Sequence, residues 1–294
     1  MTPLPIAARA LLHERVTSWF DTDARVLPWR SDPHPWAVMV SEFMLQQTPV
    51  ARVLPIFTVW MQRWPTPAAL AAESTGEAVR AWGRLGYPRR ALRLHAAATA
   101  IVEDHGGAVP SDRSALLALP GVGHYTAGAI ASFAFADRQV VLDTNVRRVF
   151  ARVVSGVQFP ADAVTAAERE LAHDLLPTTD AHVWAAASME LGAVICTARS
   201  PRCEQCPVRD LCRWRAADFP EHDGPPRRGQ AWAGTDRQCR GALMAVLRDS
   251  PGPVQRPVLE AAWAQPEQRE RCLDSLVADG LVEPLDDDVF QLPA

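Results

Sequence analysis

Apolar positions recur at helical spacing along most of the first 195 residues. In PIAARALLHERVTSWFDTD, residues 5–23, Leu12, Val16 and Trp19 fall on one helical face. The same period predicts helices at 37–46, 49–64, 75–83, 88–105, 112–118, 124–135, 144–154, 162–175 and 181–195. Pro-Thr-Pro at 65–67, Gly-Gly at 106–107 and Pro-Gly at 120–121 punctuate them. No run of alternating strands precedes residue 280. Short helices that must bury apolar faces against one another give an all-α fold.

The pattern breaks at 216–234, a stretch rich in Pro, Gly and charge that reads as a linker. A second compact region is expected at 235–294. DRQCRGALMAVLRD, PVLEAAW and PEQRERCLDSLVADG are helical, and LVEPLDDDVFQLP reads as two short strands around an acidic turn. Three helices and a hairpin resemble a winged helix.

Composition narrows the function classes. The length of 294 residues allows two domains, and 48% hydrophobic residues supply a sizeable core. No apolar run approaches the roughly 20 residues that span a bilayer. The N-terminus lacks the pattern of a secretory signal, so a cytoplasmic location is expected. Six cysteines, four of them within 17 residues, point to a metal or cluster site in a reducing compartment rather than a disulfide framework. Charge is uneven. Residues 1–215 carry 22 arginines against 20 acids, whereas residues 216–294 carry 8 against 14. Any basic footprint for nucleic acid is therefore local to the first part. The acidic C-terminal module is expected to have a structural or protein-contact role, with its partner unknown. All 30 basic residues are arginine, and the chain contains no lysine.

Three stretches carry candidate chemistry. CTARSPRCEQCPVRDLC sets Cys196, Cys203, Cys206 and Cys212 at C-x6-C-x2-C-x5-C. Four thiolates in one short loop can close on a zinc ion or an iron–sulfur cubane. Arg199, Arg202 and Arg209 in that loop suit phosphate contact. Cys239 and Cys272 fall at apolar helical positions of the C-terminal module and read as core. LPGVGHYTAGAIASF has the form helix, Gly-Val-Gly, helix, so backbone N–H groups at a helix start can hold a phosphate. VVLDTNVRRVFAR places Asp143 before a helix, either as a cap or as a functional acid, with Arg147 and Arg148 read as surface charges. SEFMLQQTPV places Glu42 at the start of an apolar helical run, where the helix dipole favours an acid. Gln46, Gln47 and Thr48 then end one helix, with Thr48 a candidate cap for the next, or form a polar tip.

The cysteine spacing resembles the [4Fe-4S] loop of the endonuclease III family. The Gly-Val-Gly hairpin and Asp143 are similar to the helix-hairpin-helix and aspartate of that DNA glycosylase superfamily. LPWR at 27–30, SEFMLQQTPV at 41–50, RLGYPRRALRL at 84–94 and MELGAVIC at 189–196 resemble the MutY-type adenine glycosylases, over residues 20–215. The resemblance implies a two-lobed fold, with a six-helix domain at 25–137 and a cluster domain at 1–24 and 138–215. It implies a [4Fe-4S] cluster on Cys196, Cys203, Cys206 and Cys212. It makes Glu42 the acid that protonates adenine N7 and Asp143 the carboxylate that stabilises the sugar cation. Tyr125 and Asn145 match assisting positions, and Arg25, Trp29, Arg30 and Glu190 match adenine-pocket positions. Gln47 and Thr48 are implied to enter the base stack, with Leu85 and Tyr87 beside the opposing base. Gly121 and Gly123 are implied to hold a phosphate, as are Arg199 and Arg202.

The implied substrate is duplex DNA with adenine opposite 8-oxoguanine or guanine, acted on by a monomer near the nucleoid. A lysine-dependent strand cleavage is excluded, since Tyr125 occupies the position of the lysine in bifunctional relatives. Two motifs depart from the family. RLGYP replaces GLGYY, and LDTN replaces LDGN. The tail is also too short for the nudix-like domain of long members. Two alternatives remain: a thymine or uracil mismatch glycosylase on the same scaffold, and a zinc-dependent DNA-binding regulator.

Overall fold

The computed structural model describes residues 4–222, 224 and 232–294. Its helices are α1 (Ile6–Asp23), α2 (Pro28–Ser31), α3 (Pro35–Leu45), α4 (Val50–Arg63), α5 (Pro67–Ala71), α6 (Thr75–Trp82), α7 (Arg89–His105), α8 (Arg113–Ala118), α9 (His124–Phe135), α10 (Thr144–Phe150), α11 (Ala166–Asp174), α12 (Ala181–Val194) and α13 (Arg213–Ala216). The C-terminal module contains α14 (Asp236–Asp249), β1 (Val254–Gln255), α15 (Arg256–Ala261), α16 (Pro266–Ala278), β2 (Glu283–Leu285) and β3 (Val289–Gln291). Among the described residues no helix is long and apolar enough to cross a membrane. The fold is all-α apart from one three-stranded sheet.

The chain divides into two compact units. The first comprises Met1–Val38, Ser111–Leu117 and Gly123–Pro226; the second comprises Met39–Pro110, Ala118–Val122 and Arg227–Ala294. The first unit is organised on α12. Leu12 and Val16 of α1 and Val146, Val149 and Phe150 of α10 are buried with Trp184, Ala187 and Leu191 of α12. Phe150 stacks on Trp184 at a centroid distance of 6.1 Å. Leu12 and Val16 lie on the face that the apolar spacing predicts, and Trp19 packs at its edge.

The second unit is built on tryptophan. Trp60 meets Trp64 and Trp82 edge to face, with centroids 4.6 and 5.6 Å apart. Ser74 caps α6 by accepting the backbone N–H of Glu77 at 3.3 Å. The C-terminal module belongs to this unit. Its sheet order is β1-β3-β2, with both pairings antiparallel. The predicted hairpin is present, as β2 and β3. The first strand is a two-residue ladder next to a proline and α15, too short to show a period. Cys239 and Cys272 are buried in the module core, as expected.

Two local readings change. The helix expected over 144–154 leaves α geometry after Phe150, and Ala151–Ser155 forms a π-helical turn ended by Gly156 at φ 76°. Short helical turns at Pro28–Ser31, Pro67–Ala71 and Arg213–Ala216 are each five residues or fewer, too short for a helical period.

Candidate active site

Asp143 caps α10. Its Oδ1 accepts the backbone N–H groups of Asn145 and Val146 at 2.9 and 2.7 Å, and its Oδ2 accepts Asn145 Nδ2 at 2.7 Å. Burial pushes the Asp143 carboxyl above the usual range, against these hydrogen bonds and the nearby Arg148 charge. Thr144 opens the helix with no positive φ, so the fold needs no glycine at this departure from LDGN.

Arg148 stands behind this pair and is buried, contrary to the surface reading. Its Nη2 donates to Asn145 Oδ1 at 2.8 Å and to the Gly192 carbonyl at 2.6 Å, while Nε donates to the Cys196 carbonyl at 2.7 Å. Carbonyls at the end of α12 have no helical partner, and a planar guanidinium can serve several of them at once. Gly192 is required by this approach. A Cβ there would lie 2.6 Å from the Asn145 carbonyl oxygen. Arg147 is buried too, and donates to Glu168 at 3.0 Å and to the Ala161 carbonyl at 2.6 Å.

Glu190 is fully buried on α12. Arg25 holds it in a fork, Nε to Oε1 at 2.5 Å and Nη2 to Oε2 at 2.8 Å, and Arg30 Nη1 reaches Oε2 at 2.9 Å. Burial would raise its carboxyl, but the two guanidinium groups hold it below the usual range. Trp29, on the intervening turn, is buried. Three of the four predicted base-pocket side chains thus meet directly. Tyr125 lies in the first turn of α9 and is partly exposed.

In the second unit, Glu42 is buried in α3, flanked in sequence by the buried Ser41 and Phe43. It is the eighth residue of an eleven-residue helix, so the helix-start explanation for its charge fails. Thr48 does not cap α4 either, because the capping position is Pro49. Instead the buried Thr48 hydroxyl donates to the Leu85 carbonyl at 3.2 Å and accepts from Arg90 Nη2 at 3.0 Å. Arg90 ties two loops together. It donates to the carbonyls of Phe43, Met44 and Gln46 at 2.8, 3.0 and 2.6 Å, and to that of Gly86 at 2.9 Å. Burial draws its guanidinium down to about 10. At the loop crests, Gln47 and Tyr87 are exposed with positive φ, 54° and 47°. Thr48 and Leu85 are buried behind them. Pro88, the departure from GLGYY, precedes the first residue of α7, where its lost N–H costs no helical bond.

In the hairpin, only Gly121 needs to be glycine. Its φ is 78°, and a Cβ would lie 2.8 Å from Arg93 Cβ. Gly123 precedes α9 at φ −95°, which any residue adopts, but open space around it leaves the backbone bare.

Cys196, Cys203, Cys206 and Cys212 line one cavity with Arg152, Pro201 and Trp214. Among the described residues no three His, Cys, Asp or Glu side chains gather as ligands of a single metal ion. Four thiols lining one cavity are a donor set that suits an iron–sulfur group. Burial pushes the Cys206 thiol up to about 12 and raises Cys203 and Cys212, so bound metal must supply the charge that keeps them as thiolates. Arg152, on the π-helical turn, closes the cavity. Its Nη1 lies 3.4 Å from Cys196 Sγ and donates to the Thr197 carbonyl at 2.7 Å. Its guanidinium also stacks on Trp214 at 4.5 Å. Arg199 is exposed, Arg202 donates to the Val194 carbonyl at 3.0 Å, and Arg209 reaches Glu204 at 3.2 Å.

Arg90, Arg148 and Arg152 are absent from the residues nominated by sequence. One signal was available: Asn145, Arg148 and Arg152 form a polar stripe with spacings of three and four in an apolar helix.

Residues 40–173 match the HhH-GPD superfamily of base excision DNA repair proteins, and residues 196–212 match the iron–sulfur binding domain of endonuclease III. The second match begins and ends on the outer cysteines of the cavity. The chain is 52% identical to an adenine DNA glycosylase of Mycobacterium tuberculosis over 99% of this chain and 96% of that protein.

The chain belongs to the adenine DNA glycosylase family.

Its cofactor is a [4Fe-4S] cluster on the cysteine loop. An adenine DNA glycosylase of Mycolicibacterium smegmatis is 53% identical over 94% of both chains. The human adenine DNA glycosylase is 44% identical over 67% of this chain but only 38% of its own length. The mycobacterial match therefore continues through the C-terminal module. Among solved structures, a thermostable thymine-DNA glycosylase aligns with a TM-score of 0.64 at 27% identity, over 72% of this chain and 98% of that one. Endonuclease III in a non-covalent DNA complex aligns at 0.63 and 23% identity, over 74% and 99%, and supports the fold.

Proposed function

We propose that this glycosylase removes adenine paired with 8-oxoguanine or guanine in duplex DNA, at the nucleoid, without cleaving the strand. The observation that carries the reading is Asp143, a carboxylate fixed by Asn145 and two backbone N–H groups with Arg148 behind it. Such a group can face a developing sugar cation without moving. Adenine leaves poorly as an anion, so a second acid must protonate it. Glu42, a carboxyl buried in α3, has that role in this reading. This is the two-carboxylate logic of glycosidases.

Arg25, Trp29, Arg30 and Glu190 then form the pocket for the extruded base. Asn145 and Tyr125 assist by orienting water and the carboxylates. The exposed Gln47 and Tyr87 enter the stack, with Thr48 and Leu85 supporting them from behind. Gly121 and Gly123 present backbone N–H groups to a phosphate, and Arg199 and Arg202 lie on the DNA side of the cluster loop. When bound, the cluster supplies a rigid anchor for that loop. Schiff-base strand cleavage has no lysine nucleophile, since the sequence lacks lysine and Tyr125 stands at the relevant hairpin position.

The test is single-turnover release from duplexes carrying A, T or U, each opposite 8-oxoguanine and guanine. Adenine should be released and the strand should stay intact. Release of T or U at comparable rates would favour the mismatch-pyrimidine reading and reject this one.

Cys203→Ser should abolish the absorbance near 400 nm that marks an iron–sulfur protein, roughly in step with iron content. Duplex affinity should fall about tenfold as the loop loses shape and its arginines lose their phosphate positions. Normal affinity in an iron-free variant would remove the cluster from DNA binding.

A further inference from the structure

The C-terminal module is docked on α6 and α7 through specific polar contacts. Arg80 of α6 donates to carbonyls at the end of α14: to Ser250 at 2.7 Å, to Leu247 at 3.3 Å and to Arg248. Arg89, at the start of α7, pairs with Asp279 at 3.1 Å. Thr75 donates to the Ala294 carbonyl at 3.0 Å, and a Cβ on Gly76 would lie 2.4 Å from the Pro293 carbonyl oxygen. The first turn of α14 comes close to the Tyr87 loop. There the Arg237 guanidinium lies 5.5 Å from the centroid of the Tyr87 ring. Arg90 lies 5.6 Å from the same centroid. Two cations of different origin thus contact one aromatic ring. Arg90 is buried and belongs to the loop scaffold, whereas Arg237 is exposed and comes from the C-terminal module.

We propose that Arg237, on the first turn of α14, is a positioning residue that steadies the Tyr87 ring. This rests on the assignment of Tyr87 to the opposing base made above. Tyr87 has a left-handed backbone and is 45% exposed, so few packing contacts restrain its side chain. A cation–π contact at an exposed site restrains a ring by about 0.5–1 kcal/mol, and by more once a bound duplex excludes water. The net negative charge of the module does not oppose this role, because Arg237 acts on the protein's own ring. The sequence split the acidic tail from the catalytic residues; the docking joins the two at one side chain.

The experiment compares full-length wild type, Arg237→Ala, Tyr87→Ala and the double variant. The readout is the ratio of single-turnover rates opposite 8-oxoguanine and guanine, with the midpoint of thermal unfolding as a check on folding. Arg237→Ala should cut the ratio roughly three- to tenfold, on the scale of one desolvated cation–π contact, with an unchanged midpoint. Adding it to Tyr87→Ala should have no further effect, since the ring it steadies is gone. Arg237→Lys should recover part of the ratio, because it keeps the charge. If Tyr87→Ala lowers the ratio while Arg237→Ala does not, or if the two losses add, the proposal is overturned. If Tyr87→Ala itself leaves the ratio unchanged, the underlying role of Tyr87 falls with it.

Discussion

Glu42→Gln is expected to slow adenine release by about 10²–10⁴-fold, the usual contribution of a positioned general acid. Gln is the same size and remains polar, so α3 should keep its packing. What it lacks is a transferable proton. The loss should appear in the chemical step at saturating enzyme, while affinity for the mismatched duplex stays close to wild type. Because Glu42 is buried in the eighth position of α3, a carboxylate here gains little from the helix dipole, which acts within the first turn. No stabilising role at the helix end therefore competes as an explanation of a lost rate. Release persisting within about tenfold of wild type, on the logarithmic scale where each tenfold is 1.36 kcal/mol, would remove Glu42 from the acid role.

The helical frame was legible because apolar period and breakers agree over long segments. α7, expected at 88–105, occupies Arg89–His105, and α9, expected at 124–135, occupies His124–Phe135. The cysteine spacing marked the cluster loop for a similar reason: four thiols in one short segment need little tertiary information. What sequence missed lies in long-range hydrogen bonds of arginine. Arg148 and Arg90 resemble surface charges when read along a helix, yet each becomes buried by serving carbonyls on segments more than 40 residues away. Local period cannot show which distant carbonyls are left without partners. Of the two readings of Thr48, the cap fails for the same reason. A threonine before a proline looks like a cap, and only the approach of Leu85 and Arg90 gives its hydroxyl another use. The docking of the C-terminal module was equally hidden, since composition divides the tail from the body while Arg80 and Arg89 join them.

Asp143→Asn should separate catalysis from stability. Asn caps a helix about as well as Asp, so the N–H groups of Asn145 and Val146 keep an acceptor. The charge, however, is gone. Burial raises the carboxyl pKa in the folded state. A raised folded pKa means that the native protein favours the protonated form. That contribution to stability is full below the unfolded pKa and is lost as pH rises through the folded value. At neutral pH, wild type therefore holds an ionised carboxylate at a cost; Asp143→Asn removes that cost but loses the hydrogen bond from Asn145 Nδ2, so it should melt close to wild type. Excision should nonetheless fall by at least about 10²-fold, because a neutral amide cannot balance the sugar cation. The pH profile supplies a second check. In wild type, the acid limb of the single-turnover rate should lie above the usual aspartate range. Asn145→Ala should move that limb further up, since it removes a hydrogen bond that favours the ionised form. A variant Asp143→Asn that melts well below wild type would make Asp143 chiefly a helix cap, and the loss of rate would then say nothing about its charge. A fall in rate with the fold intact is the result that assigns this carboxylate to chemistry.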